Sequence, residues 1–116
     1  MFDNQVTADV RKLSEGMSVI DVTGEVTASA EGALMGAYNQ ASEDGAQAIL
    51  FNFEEMTYMN SSGIGLLVTI LIRAQRQGQK LMAYGLKAHF RKVFELTRLS
   101  EAITIYEDEE GAVGQL

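Results

Sequence analysis

The sequence contains no cysteine, no proline and no tryptophan, and it has a single histidine, His89. Without cysteine there is neither a disulfide framework nor a thiolate nucleophile, and a zinc site loses its usual ligands. One histidine, with no serine motif to pair it, gives no basis for a hydrolase triad, and His89 reads as a surface or helix-flank residue. Without proline, turns fall to glycine and to Asn, Asp and Ser clusters. There is no Walker lysine motif. Gly63 and Gly65 open a candidate helix after a strand, yet the third glycine of a dinucleotide loop is missing and no acidic residue stands about twenty residues on. No basic, apolar leader opens the chain, which argues against secretion and for a cytoplasmic protein. The longest apolar run, Ile64 to Ile72, covers roughly half of the ~20 residues a membrane helix needs. Positive charge is also scarce: nine Lys and Arg stand against sixteen Asp and Glu, a net charge of −7. That argues against nucleic acid, whose phosphates need cations to displace counterions, and against an anionic membrane surface. It suits plain solubility or a basic protein partner. The acidic pairs Glu54-Glu55 and the run Glu107 to Glu110 read as solvated faces rather than as catalytic carboxylates.

What is present suits one domain spanning residues 1–116, with enough apolar content, 47%, for a real core. Val6 to Leu13 alternates weakly and predicts an edge strand. Ser18 to Val22 predicts a second strand, closed by Thr23-Gly24-Glu25. Ala28 to Glu43 carries Ala30, Ala33, Leu34, Ala37, Tyr38 and Ala41 at helical spacing, with Thr27 or Ser29 as cap and Gly45 as stop. Ala48 to Phe53 is a short apolar run, as for a strand buried on both faces. Glu54 to Asn60 reads as a polar loop. A second helix runs from Ser61 to about Gln77, ended by Gly78, with Arg73 and Arg76 suited to its negative end. Lys80 to Tyr84 is a strand. Lys87 to Leu99 is an amphipathic helix with Phe90, Val93, Phe94 and Thr97 on one face, and Ile103 to Tyr106 is a last strand. The tail from Glu107 to Leu116 forms a short helix or frays. Alternating strands and helices predict an α/β domain: a mixed sheet of four to five strands, opened by a hairpin, with helices packed on it. Sites in such sheets gather at the carboxyl ends of the strands. Three loops are expected to meet there: Gly24 to Ala28, Glu54 to Ser62 and Gly85 to Ala88.

The most informative stretch is Asn52 to Leu71, where a strand leads into Asn60-Ser61-Ser62-Gly63 at the start of a helix. In one reading Asn60 or Ser61 caps the helix, worth about 1 kcal/mol. In the other, Ser61 is a phosphoacceptor. A phosphate at a helix N-terminus faces unpaired N–H groups and the positive dipole end, so its own domain tolerates it. The added charge, on a docking surface holding Glu54 and Glu55, then repels a partner. The residues alone leave both readings open. Along the same helix Ile64, Leu67, Val68 and Leu71 are expected to pack on the sheet. Leu66 and Ile70 lie round toward another face, either buried more deeply or forming an apolar docking patch.

Two runs, Ala48-Ile49-Leu50-Phe51-Asn52-Phe53 and Met59-Asn60-Ser61-Ser62-Gly63-Ile64-Gly65, resemble the signature of the STAS domain, and most of all that of bacterial anti-sigma factor antagonists. Supporting matches are Thr23-Gly24-Glu25-Val26, the strand from Gly78 to Tyr84, and Phe94-Glu95-Leu96-Thr97-Arg98-Leu99. The resemblance spans about Val6 to Glu110. It implies a mixed sheet with helices on it, no catalysis by the domain, and no cofactor or metal of its own. It implies a partner that is both an anti-sigma factor and a serine protein kinase, bound by the unphosphorylated chain so that a sigma factor is freed. It further implies phosphorylation at Ser61 by that kinase and reversal by a Ser/Thr phosphatase. The partner-binding residues expected are Gly24, Glu25 and Thr27 in one loop and Met59, Asn60, Ser61, Ser62 and Gly63 in another, with Leu66 and Ile70 of the apolar patch on the following helix. Two departures stand out. Asn52 and Asn60 occupy positions where the family usually has Asp, and Gly24-Glu25-Val26-Thr27 lacks the second carboxylate of the family's Gly-Glu-Leu-Asp loop. The alternative is a STAS scaffold module of a larger signalling or transport-associated complex, with Ser61 only a cap. A weak homodimer through the first strand also stays open.

Overall fold

The computed structural model describes residues 6–114. The last two residues of the predicted tail, Gln115 and Leu116, and the first five of the predicted domain lie outside the described residues. Strands β1 (Thr7–Ser14) and β2 (Met17–Val26) form the expected antiparallel hairpin, joined at Glu15-Gly16. The chain continues through α1 (Glu31–Glu43), β3 (Ala48–Met59), α2 (Ser61–Arg76), β4 (Lys80–Tyr84), α3 (Ala88–Leu96), β5 (Thr104–Tyr106) and α4 (Glu109–Val113). The five strands lie in the order β1-β2-β3-β4-β5, antiparallel at the first pair and parallel thereafter.

Both sheet faces are apolar, as parallel strands under helices require. On one face Ile20, Val22, Ile49, Phe51, Phe53 and Leu81 meet Leu34 of α1, Leu67 and Ile70 of α2, and Phe90 and Phe94 of α3. The ring of Phe94 stands edge-on to Phe53, with centroids 6.3 Å apart. On the other face Met17, Val19, Leu50 and Met82 pack with Ala112 of α4. The buried stripe of α2 is Gly63, Leu67, Ile70 and Ala74, with spacing four-three-four, while Ile64, Val68 and Leu71 are only partly buried. In α3 Phe90 and Phe94 are buried, but Thr97 is exposed beyond the helix end. That helix stops before the predicted Leu99 because Arg98 turns left-handed, at φ +65°, into a 3₁₀ turn.

The main difference from the sequence expectation lies in β2 and β3. Thr23-Gly24-Glu25 does not close β2, and Glu54 to Met59 is not a loop. The two strands run on as a parallel ribbon to the pair Val26 and Met59. Between Asn52 and Tyr58, β3 gains two residues over β2 at two bulges, and Gly24 takes φ +97° beside the second. Each bulge resets the two-residue alternation, so the buried side chains fall at Phe51, Phe53, Met56 and Met59. That spacing of two, three and three looks irregular in sequence.

On the face away from α1–α3 a polar cluster ties five elements together. Arg11 of β1 bonds both carboxylate oxygens of Asp21 on β2 and, through Nη2, Glu109 Oε1 of α4 at 2.8 Å. Asn52 Nδ2 donates to Asp21 Oδ1 at 2.8 Å, and Tyr84 Oη donates to Glu109 at 3.1 Å. Hydrogen bonds from Arg11 hold the Asp21 and Glu109 carboxyls below their usual range. Burial, then the Glu109 carboxylate, pushes the Tyr84 phenol up to about 12. Because both carboxyl pKa values are lowered by folding, their stabilisation is present above the unfolded carboxylate range and is lost as pH falls through the folded values. Arg11→Met is therefore expected to melt earlier than wild type at neutral pH, and the gap to close below about pH 4. A melting-temperature gap that stays constant down to acid pH would show that the cluster contributes nothing through charge.

Candidate functional site

The ends of β2 and β3 and the beginning of α2 form one joint. Asn60 leaves β3 in extended conformation, its N–H donates to the Val26 carbonyl at 3.3 Å, and its Oδ1 accepts from Gly63 N–H at 3.0 Å. Asn60, not Ser61, is thus the cap of α2, which leaves the Ser61 hydroxyl free of capping duty. Both Ser61 and Ser62 are exposed, and no acidic residue stands in the first turn of α2. Gly63 is buried against the end of β2. A Cβ there would overlap the Val26 carbonyl oxygen and come within 2.9 Å of Val26 Cγ1 and 3.0 Å of Met59 Cγ. The glycine is therefore what lets the helix start hard against the ribbon.

The cap can be tested by itself. Asn60→Ala is expected to lower stability by about 1 kcal/mol, whereas Asn60→Asp is expected to keep it, since a carboxylate accepts the same bond and suits the dipole. Chemical denaturation would measure both, and an Ala variant as stable as wild type would remove the capping role.

Of the other residues expected here, Gly24, Glu25 and Thr27 are half-buried along the β2 end of the joint. Thr27 does not cap α1. Its hydroxyl lies 3.0 Å from that of Ser29, and the chain passes through a 3₁₀ turn, Ala28–Ala30, before α1 begins. Four placements need correcting. Ile70 is fully buried under α2, and Met59 is buried at 8% exposure, so both side chains belong to the core rather than to a contact surface. Glu54 and Glu55 sit along β3, roughly 15 to 20 Å of strand short of the helix mouth. On these two strands Glu25, next to the end of β2, is the nearer carboxylate. The loop after β4 does not reach the joint either: Gly85 packs against the backbone of Glu54, and Lys87 Nζ donates to the Met56 carbonyl at 2.9 Å. Leu66 is half-buried and lines a groove of ≈ 520 Å³ between α1 and α2, with Met35, Asn39, Thr69 and Arg73.

Sequence reasoning missed the Val26 carbonyl as the surface Gly63 packs on, and it missed the Arg11 cluster. The signal for the second was Asp21, a carboxylate inside the apolar run Val19 to Val22. Asn52 now has a local reason: an Asp there would set a carboxylate against Asp21, where Asn donates a hydrogen bond. Among the described residues no group of three or more His, Cys, Asp or Glu is placed to hold a metal ion. No described helix is long and apolar enough to cross a membrane.

This joint, Asn-Ser-Ser-Gly opening a helix at the end of a bulged parallel ribbon, lies inside the region matched by the family model for the STAS domain, which covers residues 10–112. The chain belongs to the STAS domain family. Among curated relatives of this STAS chain, the anti-sigma-B factor antagonist of Staphylococcus aureus (strain NCTC 8325 / PS 47) is 31% identical over 68 residues, covering 59% of this chain and 63% of that protein. The STAS chain thus spans less than two thirds of that relative's length. The anti-sigma-B factor antagonist of Bacillus subtilis (strain 168) is 25% identical over 108 residues, 93% of this chain and 97% of that one. The crystal structure of an anti-sigma factor antagonist from Mycobacterium paratuberculosis shares the fold, with a TM-score of 0.81 at 20% identity, over 97% of this chain and 94% of that chain.

Proposed function

We propose that this STAS chain, read as one domain, is a cytoplasmic anti-sigma factor antagonist, a binding protein rather than an enzyme, switched by phosphorylation at Ser61. The observation that carries the proposal is the geometry of Ser61: an exposed hydroxyl at the first position of α2, with the capping bond already made by Asn60. A kinase can reach such a hydroxyl without unfolding the helix. The product carries nearly two negative charges beside free N–H groups and the positive dipole end, so the domain stays folded while its surface gains negative charge. In the unphosphorylated state the joint, with Glu25, Thr27, Ser62 and the half-buried Leu66, offers a small polar and apolar face to an anti-sigma factor that is also a serine kinase. In the phosphorylated state that partner has to desolvate an unmatched charge and leaves, and a Ser/Thr phosphatase resets the switch. The relatives named as anti-sigma-B factor antagonists support the partner class.

Phosphopeptide mass spectrometry of the chain from its own cell tests the reading. A phosphoryl group on Ser61 is expected, at a stoichiometry that changes with growth conditions. Modification confined to Ser62, or none under any condition, would remove Ser61 as the switch.

A further inference from the structure

The sheet has one long edge left open. β1 is its first strand, and among the described residues no strand pairs with its outer side from Thr7 to Ser14. Along such an edge alternate residues turn their N–H and C=O groups outward, where another strand can take them. Asp9 stands directly opposite Asp21 across the hairpin, like charge against like charge. Asp21 is matched, because Arg11 bonds both of its carboxylate oxygens. Asp9 is exposed and in no ion pair among the described residues. Arg11 lies two residues on, on the same face of the strand. It spends Nε and Nη2 on Asp21 and Glu109, its Nη1 makes no hydrogen bond among the described residues, and its side chain is 42% exposed. The edge therefore carries an unmatched carboxylate and unused guanidinium donors, with Val10 between them.

Charges of one sign on an edge strand keep copies apart. These are of opposite sign and are ordered about Val10. A closed pair of identical edges is two-fold, so its strands run antiparallel. With Val10 of both copies on the axis, Asp9 of each copy faces Arg11 of the other, and Ala8 faces Lys12. Keeping the faces of the two sheets aligned allows this pairing to slip only by two residues at a time. One such slip sets Asp9 against Asp9, and the other sets Arg11 against Arg11. In the centred register the half-buried Val10 side chains meet on the side of the sheet that carries α1–α3, and they extend its apolar layer.

We propose that β1 is a self-pairing edge, on which two copies of this chain join antiparallel about Val10 into one ten-stranded sheet closed by two Asp9–Arg11 ion pairs. The occupant is a second copy because the order of charges on the edge is its own complement. One strand pair lies at the small, transient end of interface sizes, so a dissociation constant of about 100 µM is expected. The pairing edge runs along the side of the sheet, whereas the Ser61 joint lies at the ends of β2 and β3. The inference thus stands whether or not Ser61 is a switch.

Sedimentation of the full chain between about 10 µM and 1 mM reads the association, and dimer is expected to predominate at the upper end. Asp9→Lys is expected to dimerise at least about tenfold more weakly, since both ion pairs become repulsions. Its monomer is expected to melt no earlier than wild type, because the exchange removes the like charge facing Asp21, so weaker association cannot be laid to lost folding. Val10→Cys, in a chain with no other cysteine, is expected to form an intermolecular disulfide readily on mild oxidation. Facing residues bring their Cα atoms to about 4.5 to 5.5 Å, within disulfide reach. Lys12→Cys is the control. Position 12 faces position 8 and lies roughly 13 Å along the strands from its own counterpart, so it is expected to crosslink at least about tenfold more slowly. A monomer throughout the concentration range would overturn the inference, as would a dimer indifferent to Asp9→Lys or equal crosslinking through positions 10 and 12.

Discussion

Ser61→Asp is expected to weaken binding to the anti-sigma partner by more than about a hundredfold, while Ser61→Ala stays close to wild type. The size follows from where the charge lands. Ser61 stands exposed at the head of α2, in a first turn with no acidic residue of its own. A docked partner has to strip water from this position, and a desolvated, unmatched charge in an interface costs about 3 kcal/mol or more. For the free chain the same charge is benign or slightly favourable, by a few tenths of a kcal/mol, because it faces the positive end of the helix. The variant should therefore lose its partner without losing stability. Titration calorimetry against the proposed anti-sigma kinase, beside a thermal melt of each variant, reads both quantities. Wild-type affinity in Ser61→Asp would leave the switch without a mechanism. Lost affinity together with an early melt would mean that the substitution damaged the joint and that charge was not the cause.

Gly63→Ala is expected to behave in the opposite way, as a failure of folding before a failure of recognition. The added methyl would overlap the Val26 carbonyl, which is backbone and already accepts from Asn60, and it would press on Val26 Cγ1 and Met59 Cγ. None of these is the free end of a flexible chain, so α2 must shift away from the ribbon. Overpacking of this kind costs about 2 to 3 kcal/mol, which lowers the melting temperature of a domain this size by roughly 10 °C. Gly65 provides the control. A Cβ at that position meets nothing within 4 Å among the described residues. Gly65→Ala is expected to gain about 0.5 to 1 kcal/mol from helix propensity. Calorimetric melts of the two variants should move in opposite directions, and equal melting temperatures would show that the close contact at Gly63 is not present in solution.

The two glycines show how far the sequence carries. Both sit in the first turns of α2 and look alike as letters, yet one is demanded by the Val26 carbonyl and the other by nothing among the described residues. The same limit appears at Glu54 to Met59. Its polar letters read as a loop because strand recognition relies on a two-residue period, and the bulges that break the period are a property of pairing with β2. Ile70 and Leu66 were indistinguishable as apolar surplus on α2, and their fates separated only once Ile70 met the sheet and Leu66 met the groove beside α1.

What the sequence determined by itself was local: the presence of the first three helices, the span of α2, the glycine stops at Gly45 and Gly78, the hairpin at the start, the buried run that opens β3, the strand β4, and the Asn60 to Gly63 signature of the STAS family. These are written in short-range chemistry, in propensity, capping and periodicity, which each residue carries wherever it stands. The tertiary structure alone decided the length of the β2–β3 ribbon, the partner of Gly63, the burial of Met59 and Ile70, and the meeting of Arg11, Asp21 and Glu109. Each of these depends on which backbone arrives alongside from elsewhere in the chain, and a long-range contact leaves no periodic trace at either of its ends.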